Sequence, residues 1–212
     1  MAERILLMGG SFDPVHHGHL IVARAVAEAT GAGRVFLIPA ARPPHKAGPS
    51  VSGEHRLAML REAVKGDPMF EVRDLELARA GPSYTYDTVT ALVSSLGPDA
   101  KLLWLIGADM LEDLPTWSRA EQLLEIVQIV TAVRPPWDRR LDSVFSKLER
   151  ELPARQIASL KEFVVRGPLV EISSSDIRSR VRSGRSIRYL TTDSVRTYIQ
   201  KSRLYGSSGA GE

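Results

Sequence analysis

RILLMGGSFDPVHHGHLIVARAVAEATG, residues 4–31, is the stretch that decides the architecture. It opens on a short apolar run, RILLM, with the length and composition of a strand buried on both faces. After a turn dense in glycine, proline and histidine comes a helical pattern from His19 that closes on Gly31, a residue suited to the left-handed position after a helix. The alternation recurs. RVFLIP (34–39), KLLWLIG (101–107) and IVQIVTAV (126–133) read as further buried strands. GEHRLAMLREAVKG (53–66), with Leu57, Leu60 and Val64 along one face, and YTYDTVTALVSSLG (84–97) read as helices. Strands alternating with helices predict an α/β fold with a parallel, doubly wound sheet.

Beyond residue 134 the pattern loosens. DSVFSKLEREL (142–152) reads as a surface helix with alternating charges, and VEISSSDIRSRVRSG and TTDSVRTYIQKSRLY supply two C-terminal helices. Residues 70–83 suggest a short strand and an irregular stretch, whereas 39–53, rich in proline, glycine and serine, form a long loop of the kind that carries function or motion. With 212 residues and 43% hydrophobic content, one domain over 1–205 is expected, followed by a disordered Gly/Ser tail at 206–212. There is no cysteine, so disulfides, thiolate nucleophiles and Cys-ligated zinc are excluded. No apolar run approaches the roughly 20 residues that a bilayer crossing needs, and no secretory leader is visible. A cytoplasmic protein is expected.

The formal charge is +3 and the sequence pI about 9.3, which suits an anionic partner. RSRVRSGRSIR (178–188) is open to three readings: a nucleic-acid patch, a phosphate grip or a solvated helix face.

In an open parallel sheet, ligands bind beyond the carboxyl ends of the strands, so the turn after the first strand is a prime location. GGSFDPVHHGHL (9–20) contains neither G-x-G-x-x-G nor a P-loop. It offers a different phosphate device. Gly9 and Gly10 permit close backbone approach, and Pro14 precedes a helix whose free N–H groups suit an anion. His16 and His19, three apart, project from the same first turn, and imidazoles donate to phosphate oxygens. Gly18 between them leaves room for a base or ribose. Taken alone, the two histidines also suit a helix cap, a surface position or, with Asp13, a metal pair.

A second anchor lies at ISSSDIR (172–178). Ser173 or Ser174 can cap a helix there, with Asp176 completing something like a capping box. Serine hydroxyls, free amides and the Arg178 guanidinium then make a second anion clamp, although a capped basic helix is more often structural.

G-x-F-D-P-x-H-x-G-H, matched by Gly10, Phe12, Asp13, Pro14, His16, Gly18 and His19, resembles the signature of the nucleotidyltransferase superfamily. ISSSDIR resembles the I-S-S-T-x-I-R element of bacterial nicotinate-mononucleotide adenylyltransferases, with Ser175 for the usual threonine; Ser11 likewise stands where threonine is common. PPHK (43–46), SYTYDT (83–88), GAD (107–109), LPTW (114–117) and SIRYL with YIQKSRLY extend the likeness over nearly the whole chain.

The resemblance implies a single Rossmann-like nucleotidyltransferase domain with C-terminal helices. It also implies adenylyl transfer from ATP to nicotinate mononucleotide in NAD biosynthesis. His16, His19 and Arg178 would be catalytic. Gly9, Gly10, Ser11, Phe12, Gly18, Arg134, Ser174 and Ser175 would hold ATP. His45, Lys46, Tyr84, Thr85, Asp109 and Trp117 would hold the mononucleotide, with Trp117 against the ring and the amides of Thr85 and Ser118 on its carboxylate. The resemblance implies Mg²⁺ carried mainly on the ATP phosphates and no dedicated metal site. No nucleic-acid or membrane partner is expected, and a homo-oligomer stays open.

Overall fold

A computed structural model describes residues 3–42, 48–97 and 99–206. Six strands, β1 (Arg4–Gly10), β2 (Arg34–Pro39), β3 (Phe70–Val72), β4 (Lys101–Gly107), β5 (Gln128–Val133) and β6 (Val164–Arg166), form one sheet in the order β3-β2-β1-β4-β5-β6. Every pairing is parallel. The order reverses between β1 and β4, so the sheet is doubly wound and opens a crevice beyond their carboxyl ends.

Alternate side chains of each strand leave by opposite faces, which is why the strands read as unbroken apolar runs. Ile5, Leu7, Phe36, Ile38 and Trp104 enter one core together with Val89 of α3 (Thr85–Leu96), Leu123 of α4 (Ala120–Ile126), Val144 of α5 (Leu141–Leu148) and Ile157 of α6 (Ala154–Glu162). Leu6, Val35, Leu37, Leu103 and Leu105 enter the other. There they meet Val26 of α1 (His17–Thr30), Met59 and Leu60 of α2 (Gly53–Ala63), Ile177 of α7 (Ser174–Arg182) and Ile199 of α8 (Asp193–Lys201). The C-terminal helices therefore return to the face that carries α1.

Three sequence readings need correction. The segment at 142–152 is no surface helix: α5 buries Val144, Phe145 and Leu148, and its charges lie on the opposite side, where Lys147 pairs with Glu112. Alternating charges hid a regular apolar stripe. In α2 the inward face is Met59 and Leu60 together with a buried arginine, Arg56, while Leu57 is only half buried. β6 has no counterpart in the sequence reading because a three-residue edge strand carries too little periodicity to register, and α6 has none because Ile157 and Leu160 are its only buried residues. Gly31 does take the left-handed position after α1 (φ 66°), where its amide bonds the carbonyls of Ala27 and Glu28. The proposed tail at 206–212 lies outside the described residues except for Gly206, which ends a 3-10 turn. Among the described residues, no helix is long and apolar enough to cross a membrane.

Phe145 is 7% exposed within the first core. Phe145→Ala is expected to cost about 3–5 kcal/mol of unfolding free energy, as for other large-to-small aromatic core changes. Urea denaturation checks this, and a loss below about 0.5 kcal/mol would restore α5 to the surface.

Candidate active site

The turn between β1 and α1 carries four carbonyls that the helix and sheet leave unmatched, and each is taken by a side chain from elsewhere in the chain. Arg56 donates to Ser11 O (2.8 Å), Arg178 to Asp13 O (2.7 Å), Ser174 Oγ to Pro14 O (2.8 Å) and Thr191 Oγ1 to Val15 O (2.8 Å). Four acceptors that would repel an anion are thereby satisfied. The Asp13 carboxylate is a second junction. It accepts from the Ser50 amide (2.6 Å) and the Tyr205 hydroxyl (2.8 Å), with Arg178 3.8 Å away. Phe12 is held at φ 47°, a region that a bulky side chain enters only under constraint, and its ring stands edge-on to His19 with centroids 5.0 Å apart.

Helix α1 begins at His17, with His16 as N-cap in extended backbone. The His16 amide donates to His19 Nδ1 (3.3 Å) and the His19 amide to His16 O (3.0 Å). Because His19 Nδ1 accepts, its neutral ring carries the proton on Nε2 and donates from there. The two imidazoles stack with centroids 3.7 Å apart. Burial, helped by the neighbouring His17, lowers His16 to about 4. At neutral pH it is therefore an uncharged imidazole, whose buried Nδ1 has no hydrogen-bond partner among the described residues. Gly18 is needed for space. A Cβ there would stand 3.0 Å from His16 Nδ1, and one on Gly9 would stand 2.8 Å from the Trp104 ring.

These residues open on a cavity of about 600 Å³ whose far wall is the start of α7. Ser173 caps α7 by accepting the Asp176 amide (3.1 Å), as its spacing predicts. His16, Gly18, His19, Ser174, Ser175, Arg178 and Arg134 all line this one cavity. So do Gly9, Gly10, Ser11 and Phe12 on its floor, and Asp109 at its rim. The early imidazoles and the late serines face each other although some 155 positions separate them in the chain.

A second cavity of about 170 Å³ adjoins the first and shares Gly9, Gly10, Ser11, Leu105, Ile106 and Met110 with it. Tyr84, Thr85, Trp117 and Ser118 line it. Asp109, grouped with these residues by resemblance, lines the larger cavity instead. Helix α3 begins there with Tyr84 as N-cap and no side-chain cap, so the amides before the first intrahelical bond, from Thr88 to Tyr84 O (3.2 Å), are available to a ligand. His45 and Lys46 lie outside the described residues.

Four contributors were not found by sequence reasoning. Arg56 sits in an ordinary helical pattern, and nothing local marks it as a buried cation. Thr191 and Tyr205 act through single hydrogen bonds to a turn far away in sequence. Glu76 lines the smaller cavity from an irregular stretch. A charged residue flanked by apolar ones was the only available signal.

The Cytidylyltransferase-like family model matches residues 7–180. A probable nicotinate-nucleotide adenylyltransferase of Thermomicrobium roseum is 41% identical over 204 residues, 96% of this chain and 92% of that one. One from Pseudomonas syringae is 41% identical over 214 residues, 97% and 95% of the two chains. Among solved structures, Plasmodium falciparum nicotinic acid mononucleotide adenylyltransferase complexed with NaAD superposes with a TM-score of 0.73 at 18% identity, covering 96% of this chain and 98% of that one. At that identity the superposition speaks for the fold.

The buried neutral state of His16 has a pH signature. Its folded pKa lies below the ordinary 6.5, so the unfolded chain binds a proton first as pH falls. This group's contribution is complete above pH 6.5 and is lost progressively down to about pH 4. Between pH 7 and 4.5 the wild type should lose about 2–3 kcal/mol more stability than His16→Gln. Denaturant titrations at the two pH values measure the difference, and parallel losses would contradict the assignment.

Proposed function

The chain belongs to the Cytidylyltransferase-like family and, within it, to the nicotinate-nucleotide adenylyltransferases, and from that membership we infer that it transfers the adenylyl group of ATP to nicotinate mononucleotide. The products are nicotinate adenine dinucleotide and pyrophosphate. The observation that carries the reading is the pair of cavities meeting over Gly9–Ser11 at the switch point of the sheet. The larger suits a nucleoside triphosphate. The smaller suits a flat ring bearing a carboxylate.

In this reading a phosphate oxygen of the mononucleotide attacks the α-phosphorus of ATP in line. The new P–O bond forms as the bond to the β-phosphate oxygen breaks, and pyrophosphate departs. The nucleophile is already ionised, so no protein base is required. The protein's task is to hold two anions together and stabilise the charge of the transition state.

His16, His19 and Arg178 are the groups assigned to that charge. A neutral His16 accommodates ATP with little reorganisation, and the arriving phosphates favour its protonation. The amides at the start of α1 and α7 add donors. Ser174 Oγ and Arg178 already serve the turn through Pro14 and Asp13 carbonyls. The phosphate-facing share of that wall therefore falls to Ser175, the α7 amides and the remaining Arg178 nitrogens. Arg134, just beyond β5, is assigned to ATP.

For the second substrate, Trp117 stacks on the pyridine ring, while the amides of Thr85 and Ser118 receive its carboxylate, with Tyr84 alongside. His45 and Lys46 are assigned to its phosphate. Mg²⁺ would shield the triphosphate. Among the described residues there is no group of three or more His, Cys, Asp or Glu able to hold a metal ion; in this reading Mg²⁺ would be carried mainly on the ATP phosphates. A cytoplasmic location, where ATP is supplied, fits this chemistry.

Release of pyrophosphate from ATP, Mg²⁺ and nicotinate mononucleotide tests the reaction directly. His19→Ala is expected to lower turnover by about 100- to 1000-fold while its far-ultraviolet circular dichroism stays unchanged. Turnover within about threefold of wild type would remove His19 from the mechanism.

A further inference from the structure

The smaller cavity contains a carboxylate in a place where an acidic substrate would not welcome one. Glu76 is 4% exposed, lines this cavity beside Tyr84 and Thr85, and has no part in the chemistry above. An ionised carboxylate left bare there would repel the ring acid and attract the amide form.

Its hydrogen bonds settle what it does instead. Ser83 Oγ accepts from the amides of Ala41 (2.9 Å) and Arg42 (3.2 Å). Ser83 lines the same cavity beside Glu76. Thr88 Oγ1 receives Arg79 Nη2 (3.2 Å) and gives its own proton to Glu76 Oε1 at 2.7 Å, a shorter path than to Tyr84 O at 3.2 Å. Burial raises the Glu76 pKa, whereas Thr88, Ser83 and Arg79 oppose the rise. Glu76 thus accepts from the first turn of α3, whose N-terminus has no side-chain cap.

We propose that Glu76 is a positioning residue that sets the preference for the acid over the amide mononucleotide: its hydrogen bond with Thr88 fixes the first turn of α3, so that the α3 amides meet a ring carboxylate in one geometry. The inference rests on the adenylyltransferase reading. Glutamine keeps an oxygen that can accept from Thr88, but as a neutral and weaker acceptor, and it puts an NH₂ in place of the second oxygen. Loosened amides lose more toward a charged acceptor than toward a neutral one.

The test compares wild type, Glu76→Gln and Thr88→Val, an isosteric change that removes the hydroxyl that donates to Glu76 and accepts from Arg79. Steady-state kinetics are measured with ATP and with either the acid or the amide mononucleotide. Both variants should raise KM for the acid by about tenfold and lower the acid-to-amide ratio of kcat/KM by a similar factor, with KM for ATP and kcat within about twofold. An unchanged ratio, or equal losses on both mononucleotides with a parallel rise in KM for ATP, would overturn it and leave Glu76 a purely structural group. If Glu76→Gln fails to fold, Thr88→Val decides alone. A wild type that forms no dinucleotide from either substrate would instead sink the parent reading.

Discussion

Four carbonyl oxygens in the turn after the first strand, those of Ser11, Asp13, Pro14 and Val15, are each held by a side chain brought from another part of the chain. In the proposed reaction this turn meets a polyphosphate, which unmatched acceptors would repel, and buried carbonyls without partners are costly in any case. One constraint therefore serves both stability and function. Its donors come from α2, α7 and the segment before α8, so packing those elements against the sheet is the same event as finishing the site.

The topology explains why two cavities lie side by side. Strand order reverses between β1 and β4, and the chain leaves these neighbours toward opposite faces. On one side stand α1 and α7, two helix N-termini across a wide cleft. On the other stands α3, alone against Trp117 in a narrow one. The floor they share is Gly9–Ser11, where a Cβ on Gly9 would stand 2.8 Å from the Trp104 ring and force it to shift, and one on Gly10 would press on Phe12 at 3.2 Å. Two ligands seated on either side of so thin a floor are held close enough to react.

The electrostatics rely on dipoles and neutral donors more than on net charge. His16 is kept uncharged by burial, and Arg178 is partly committed to Asp13. Glu76 runs against the trend, a buried acid in an anion-binding region, and its hydrogen-bonding neighbours are what reconcile it with that place. Fixed donors need no rearrangement as charge develops, which favours this arrangement over a cluster of mobile cations.

The sequence by itself determined the parallel α/β architecture, because strands buried on both faces must be continuously apolar and their connecting helices must end on recognisable caps. It also determined the two segments that line the larger cavity from opposite walls, since H-x-G-H and ISSSDIR are local patterns whose spacing works within a single helical turn. Only the tertiary structure decided that Ser174 and Arg178 also brace the first turn, that Arg56, Thr191 and Tyr205 belong to the site, and that α5 faces inward. Each of these depends on a hydrogen bond or contact between residues far apart in the chain. Local periodicity holds no record of where a lone side chain meets a distant carbonyl; that pairing exists only once the sheet has brought both ends of the chain to the same crevice.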